Sequence, residues 1–341
     1  MTKKILAYKE AMKLENLKTT RSGKQYKPDS REGDVYIFTP ELKLAAEIAL
    51  VTGRPLLLRG DPGSGKSSFA AFVARNLNWR YYDFAVNVRS HATDIMYRYD
   101  TVRRLRDAHS GEKARADEHE YISPGVLWWV FDRELAFSRG RLPDYKIAQD
   151  ARISKAAEPN AETNADRDPD GAVLLIDEID KADPDFPNEL LVPLGSGYFS
   201  VQETQTLVQR KAVPVIGNLR SPLVMITTNE ERALPEAFVR RCIVHQLPAP
   251  EPNRLVEIAK LHFGKSKDKS ADDELFRELA TKIMDIRERI ADRGVKKPST
   301  AEYLDSIKAC REMNIKVGSD AWKVLEQVAV SKGRTDGKID R

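Results

Sequence analysis

The chain has 341 residues, a net charge of +4, 32% charged side chains and a mean hydropathy of −0.51, so a solvated protein with room for one large domain or two is expected. Its strictly apolar runs are short (Val126 to Phe131, for example), which excludes a bilayer-spanning helix of about 20 residues. Two cysteines without metal-type spacing, five scattered histidines and an N-terminus with no apolar leader point to a cytoplasmic protein with no structural metal site.

In chain order, residues 1–32 come first, with nine cationic side chains against four acidic ones. This surplus of five leaves the rest of the chain near −1. Such a basic extension is either a solvated tail or a contact for nucleic acid or an acidic partner. Thr39-Pro40 then supplies an N-cap and first-turn pair. Leu42, Ala45, Ala46, Ala49 and Leu50 follow at helical spacing. Leu56 to Leu58 reads as a buried strand.

That strand runs into Gly60-Asp61-Pro62-Gly63-Ser64-Gly65-Lys66-Ser67, a G-x-x-x-x-G-K-[ST] loop, and the apolar helix pattern from Ser68 follows. Strand, glycine-rich turn and helix N-terminus together predict a triphosphate cradle. Backbone N–H groups of Gly60 to Ser68 surround the phosphates, Lys66 meets the β and γ oxygens, and the Ser67 hydroxyl ligates Mg²⁺. This predicts a protein that binds a nucleoside triphosphate.

Tyr81 to Val86 reads as a second strand, and Trp128, Trp129 and Phe131 share a helical patch. Residues 150–171 turn polar and read as a flexible insertion. Ala172 to Ile176 is an apolar strand ending at Asp177-Glu178. Asp177 would hold Mg²⁺ directly or through water, and Glu178 would polarise the attacking water. Pro222 to Thr228 and Cys242 to Leu247 give two more strands. Asn229, at the tip of the former, would orient that water or touch the γ-phosphate. The segment Leu234 to Cys242 reads as a short helix entering a strand, with Arg240 and Arg241 at the junction, where an arginine finger for a neighbouring subunit would sit. Alternating strands and helices predict a doubly wound parallel α/β sheet. After the prolines of 248–254, helices are expected at about 252–263, 272–291, 299–313 and 320–331.

The order of these motifs resembles the AAA+ ATPases over about residues 34–313. Within them the MoxR branch is most similar, through the segment Asn87 to Phe131 with Pro124-Gly125-Val126-Leu127-Trp128-Trp129 and the β-prone stretch Tyr198 to Asn218. After the basic extension at 1–33, the resemblance implies an α/β P-loop core at 34–248 with an insertion at about 87–171, and an α-helical lid and tail at 249–341. It implies ATP hydrolysis with Mg²⁺, Asn229 as sensor 1, and Arg241, with Arg240 as alternative, as the finger. Asn87 is either a strand-end cap or a residue holding Glu178 off the water. Where relatives carry a lid arginine, this chain reads Lys297-Pro298-Ser299. A homo-oligomeric ring (a hexamer) is implied. So is chaperone-like work on a protein partner of von Willebrand factor A type, with a nucleic-acid motor or loader as the alternative. The Asn-Lys-x-Asp guanine motif of GTPases is absent, since Glu230 follows Asn229.

Overall fold

Five parallel strands carry the architecture: β1 (Leu56–Arg59), β2 (Trp79–Ala85), β3 (Asp168–Asp177), β4 (Leu223–Thr228) and β5 (Ile243–Gln246), in the spatial order β5-β1-β4-β3-β2. This computed structural model describes residues 36–109, 117–141, 155–211, 213–215, 218–264, 269–289 and 297–325. The basic extension at 1–33 lies outside the described residues. The central strands are buried on both faces, as in Leu56 to Leu58 and Leu223 to Ile226, which is why they read as unbroken apolar runs. β3 begins four residues earlier than its apolar stretch, because Asp168 pairs with Trp79 ahead of a register shift.

Helix α1 (Pro40–Thr52) starts where the Thr39 hydroxyl accepts from Leu42 N–H at 3.2 Å and ends on Gly53 at φ +66°. It buries the stripe Leu42, Ala45, Ala46, Ala49 and Leu50. Helix α2 (Lys66–Asn76) follows the glycine-rich loop. The fold is the expected doubly wound parallel α/β sheet with flanking helices, followed by helices. Among the described residues no helix is long and apolar enough to cross a membrane.

The reading of 150–171 as a flexible insertion is corrected from Lys155 onward. Asn164 is buried, its Oδ1 accepting from Tyr81 N–H at 2.8 Å and its Nδ2 donating to Tyr81 C=O at 3.1 Å. The amide thus continues the backbone pairing at the free edge of β2. Nearby, the Glu158 carboxylate accepts from the Tyr82 hydroxyl at 2.5 Å and from Arg133 Nη2 at 2.7 Å. Polar composition here marks satisfied polar packing rather than solvation. The Trp patch forms the helix Val126–Phe131, with both Trp128 and Trp129 fully buried. Tyr198 to Asn218 resolves into two antiparallel hairpins, Tyr198–Val201 with Thr206–Gln209 and Val213–Val215 with Asn218–Arg220.

The described residues form two compact units. One holds Phe38–Arg59 and Ala70–Gln246, and therefore the sheet. The other holds Tyr36 and Ile37, the loop Gly60–Phe69 and the chain from Leu247. Its helices are α3 (Pro252–Phe263), α4 (Lys269–Arg289), α5 (Thr300–Glu312) and α6 (Asp320–Leu325). They close a core of Leu255, Phe276, Leu279, Ile283, Tyr303 and Ile307. The last expected helix, at 320–331, is described only as far as Leu325.

Candidate functional site

The glycine-rich loop bends where only glycine is comfortable: Gly60, Gly63 and Gly65 have φ of +142°, +75° and +94°. Space is restricted as well. A Cβ at Gly63 would lie 2.1 Å from Ser299 Cβ, and one at Gly60 would lie 2.3 Å from the Leu247 carbonyl oxygen. Lys66 is buried and its ammonium donates to the carbonyls of Gly60 at 2.6 Å and Asp61 at 2.9 Å, curling the loop back on itself. The Ser64 hydroxyl is buried with no hydrogen-bond partner among the described residues. A cradle too tight for side chains, a buried ammonium and an orphaned hydroxyl donor fit an anionic, oxygen-rich ligand such as a triphosphate. Asp61, Pro62, Ser67 and Ser68 complete the loop and the first turn of α2.

In the sheet unit, four side chains converge at the C-terminal ends of β3 and β4. Asp177 ends β3, and its Oδ1 accepts from the fully buried Thr227 hydroxyl at 2.6 Å. The same Thr227 oxygen accepts from Glu178 N–H at 2.8 Å. Glu178 adopts φ +59°, a left-handed conformation rare for a residue with a side chain. Its carboxylate accepts from Asn229 Nδ2 at 3.3 Å on Oε1 and from Lys181 Nζ at 2.5 Å on Oε2. Asp180 is buried beneath, its Oδ2 accepting from the N–H groups of Asn229 at 3.2 Å and Glu231 at 2.9 Å. Asp177, Glu178 and Asn229 are therefore brought together. Among the described residues no cluster of three His, Cys, Asp or Glu forms a separate metal site.

The arginine pair stands apart from this group, on the turn between the helix Glu236–Val239 and β5. Arg240 pairs with Glu236 at 2.6 Å and Arg241 Nη1 donates to the Ala237 carbonyl at 3.0 Å, both in exposed positions. Beneath the turn, the Arg54 guanidinium donates to the carbonyls of Arg240, Arg241 and Cys242. Burial pushes the Cys242 thiol up to about 12, which keeps it an uncharged packing group.

Asn87 closes its own turn, accepting from Arg89 N–H at 2.9 Å, while Glu178 is held by Asn229 and Lys181. Lys297 is exposed, whereas in the same unit the buried Arg287 donates to the carbonyls of Pro298 at 2.8 Å and Pro250 at 3.2 Å. Burial lowers the Arg287 pKa, and the charges of Asp61 and Glu302 oppose that shift. Sequence reasoning missed Thr227, Asp180, Lys181 and Arg54. Only the position of Thr227 two residues before Asn229, and the run Glu178-Ile179-Asp180-Lys181, carried any signal for them.

Residues 55–242 match the family model described as "AAA domain (dynein-related subfamily)". Similar solved structures include a RuvB point mutant from Thermotoga maritima and the Thermotoga maritima RuvB Holliday junction branch migration motor. Both are 15% identical and cover 84% of this chain, with TM-scores of 0.38 and 0.35, over 73% and 74% of their own chains. Comparison with curated proteins returned no match.

Proposed function

Starting from a chain that belongs to the AAA domain family, dynein-related subfamily, we propose that it hydrolyses ATP in a homo-oligomeric ring and uses the cycle to remodel a protein partner. The observation that carries the reading is the Asp177–Thr227–Glu178–Asn229 network, which presents two carboxylates and an amide at adjacent strand ends. The matched span includes both the phosphate loop and these residues.

In the proposed reaction, Lys66 and the N–H groups of the loop bind the β- and γ-phosphates. Glu178 takes a proton from the water whose oxygen bonds to the γ-phosphorus, and the bond from that phosphorus to the bridging oxygen of ADP breaks. Asn229 orients the carboxylate and the water. Ser67 and Asp177 would each offer an oxygen to Mg²⁺, which when bound would neutralise charge on the phosphate oxygens. Arg241, or Arg240 in its place, serves the neighbouring subunit's nucleotide, for which exposure on a turn suits both.

The remodelling role, the MoxR-type assignment and a von Willebrand factor A-type partner belong to this proposal. They are supported by the strand pair Tyr97–Tyr99 with Ile122–Pro124, the helix Val126–Phe131, and the antiparallel pairs Tyr198–Val201 with Thr206–Gln209 and Val213–Val215 with Asn218–Arg220. The test is capture with Glu178→Gln in the presence of ATP and Mg²⁺. This variant is expected to bind ATP, to lose turnover by about 10²–10⁴-fold, and to retain ring and partner together. Unchanged turnover in Glu178→Gln would remove Glu178 as the base, and turnover independent of protein concentration in a strictly monomeric protein would remove the ring.

A further inference from the structure

Glu178 begins a single 3₁₀ turn, Ile179–Lys181, in which residues three apart are eclipsed. Lys181 N–H donates to the Glu178 carbonyl at 3.0 Å, so backbone geometry places the lysine side chain over the carboxylate. Glu178, the residue before the turn, is left-handed, a strained conformation of the kind that persists at working sites. The outcome is a carboxylate engaged at both oxygens: a long bond from Asn229 at 3.3 Å and a short ion pair with Lys181 at 2.5 Å. A water that is to lose its proton to Glu178 must compete with the ammonium for Oε2.

We propose that Lys181 is a latch on Glu178, pairing with the carboxylate at rest and leaving it when a water is to be activated. The proposal rests on the ATPase reading above and names a regulatory contact of that same site. Two features make the latch reversible. Both side chains are part-exposed, 39% for Lys181 and 38% for Glu178, so the pair is screened by solvent and weak. The charges of Glu231 and Asp180 also act on Lys181, so the ammonium can leave Glu178 without leaving carboxylate surroundings. Asn229 keeps its hold on Oε1 throughout, so release frees the oxygen without losing the orientation of the group.

The test compares wild type with Lys181→Met, Lys181→Arg and Glu178→Gln. With the latch removed, Lys181→Met is expected to raise kcat for ATP about two- to fivefold at unchanged KM, the scale of one exposed ion pair. Lys181→Arg, which keeps the charge, is expected to stay near the wild-type rate. Added salt should raise wild-type kcat toward that of Lys181→Met and leave the latter flat, because screening weakens the latch. A kcat in Lys181→Met at or below wild type overturns the proposal. The second readout needs no turnover: acylation of the Lys181 amine by an activated ester, followed by peptide mass spectrometry without nucleotide. Labelling should be faster in Glu178→Gln than in wild type, and equal labelling overturns the latch. If no variant turns ATP over, the ATPase reading fails by itself, and the labelling comparison still decides the ion pair.

Discussion

The Thr227 hydroxyl donates to Asp177 Oδ1 at 2.6 Å while its oxygen accepts from Glu178 N–H at 2.8 Å, so one buried atom ties the strand-end acids of β3 to β4. Thr227→Val keeps the shape and removes the hydroxyl. It takes one hydrogen bond from the buried Asp177 carboxylate and one from the Glu178 backbone N–H, a loss of about 1–3 kcal/mol in stability. Because the Glu178 carboxylate is aimed by that backbone, kcat should fall about 10- to 100-fold with nucleotide affinity nearly unchanged. Thermal unfolding and steady-state ATPase on the same preparation check both parts.

Gly63→Ala should damage the loop twice. The φ of +75° disfavours any L side chain, and the added carbon would lie 2.1 Å from Ser299 Cβ. About 1–3 kcal/mol of stability should be lost, and ATP affinity should drop by at least about tenfold in calorimetric titration. Adding Ser299→Gly removes the side-chain clash but leaves the 3.0 Å approach to the Cα and the unfavourable φ, so the double variant should recover part of the melting temperature and little of the affinity.

The strands were readable because parallel strands buried on both faces are apolar throughout, and Leu56–Leu58 and Leu174–Ile176 have that form. The phosphate loop was readable because backbone chemistry demands glycine at fixed spacing, which Gly60, Gly63 and Gly65 bear out in their dihedrals. Asn164 and Glu158 were not readable. Their partners Tyr81 and Tyr82 lie 83 and 76 residues away, and no local pattern shows that a polar side chain will find a buried partner at that distance. Lys181 and Asp180 escaped for another reason. Their roles follow from the left-handed turn at Glu178, a backbone conformation that the run Asp177-Glu178-Ile179-Asp180 does not announce.

Arg54 links α1 to the arginine turn through donors to three consecutive carbonyls. Arg54→Ala should loosen the turn carrying Arg240 and Arg241 and lower ring ATPase about tenfold, a fraction of the about 10³–10⁵ expected for Arg241→Ala if Arg241 is the finger. Arg54→Lys should rescue little, because one ammonium cannot reproduce the planar fork. Mixing each variant with wild type separates the roles. Arg241→Ala subunits should poison neighbouring sites steeply, Arg54→Ala subunits mildly, and ATP binding should be unaffected in both.

Glu158 predicts a pH effect. Burial by itself would raise its pKa, but hydrogen bonds from Arg133 and the Tyr82 hydroxyl, with the Arg133 and Arg80 charges, hold the carboxyl below its usual 4.5. A depressed folded-state pKa stabilises the protein above the unfolded value and loses that contribution as pH falls through the folded one. Wild type should therefore lose stability on acidification below about pH 4.5, while Glu158→Gln, which has no charge to protonate, loses less over the same interval. At pH 7, Glu158→Ala should cost about 1–3 kcal/mol, an amount restrained by the partial exposure of Arg133. Urea midpoints at pH 7 and at several points below pH 5 decide it. Parallel acid sensitivity in wild type and Glu158→Gln would assign the loss to other carboxylates.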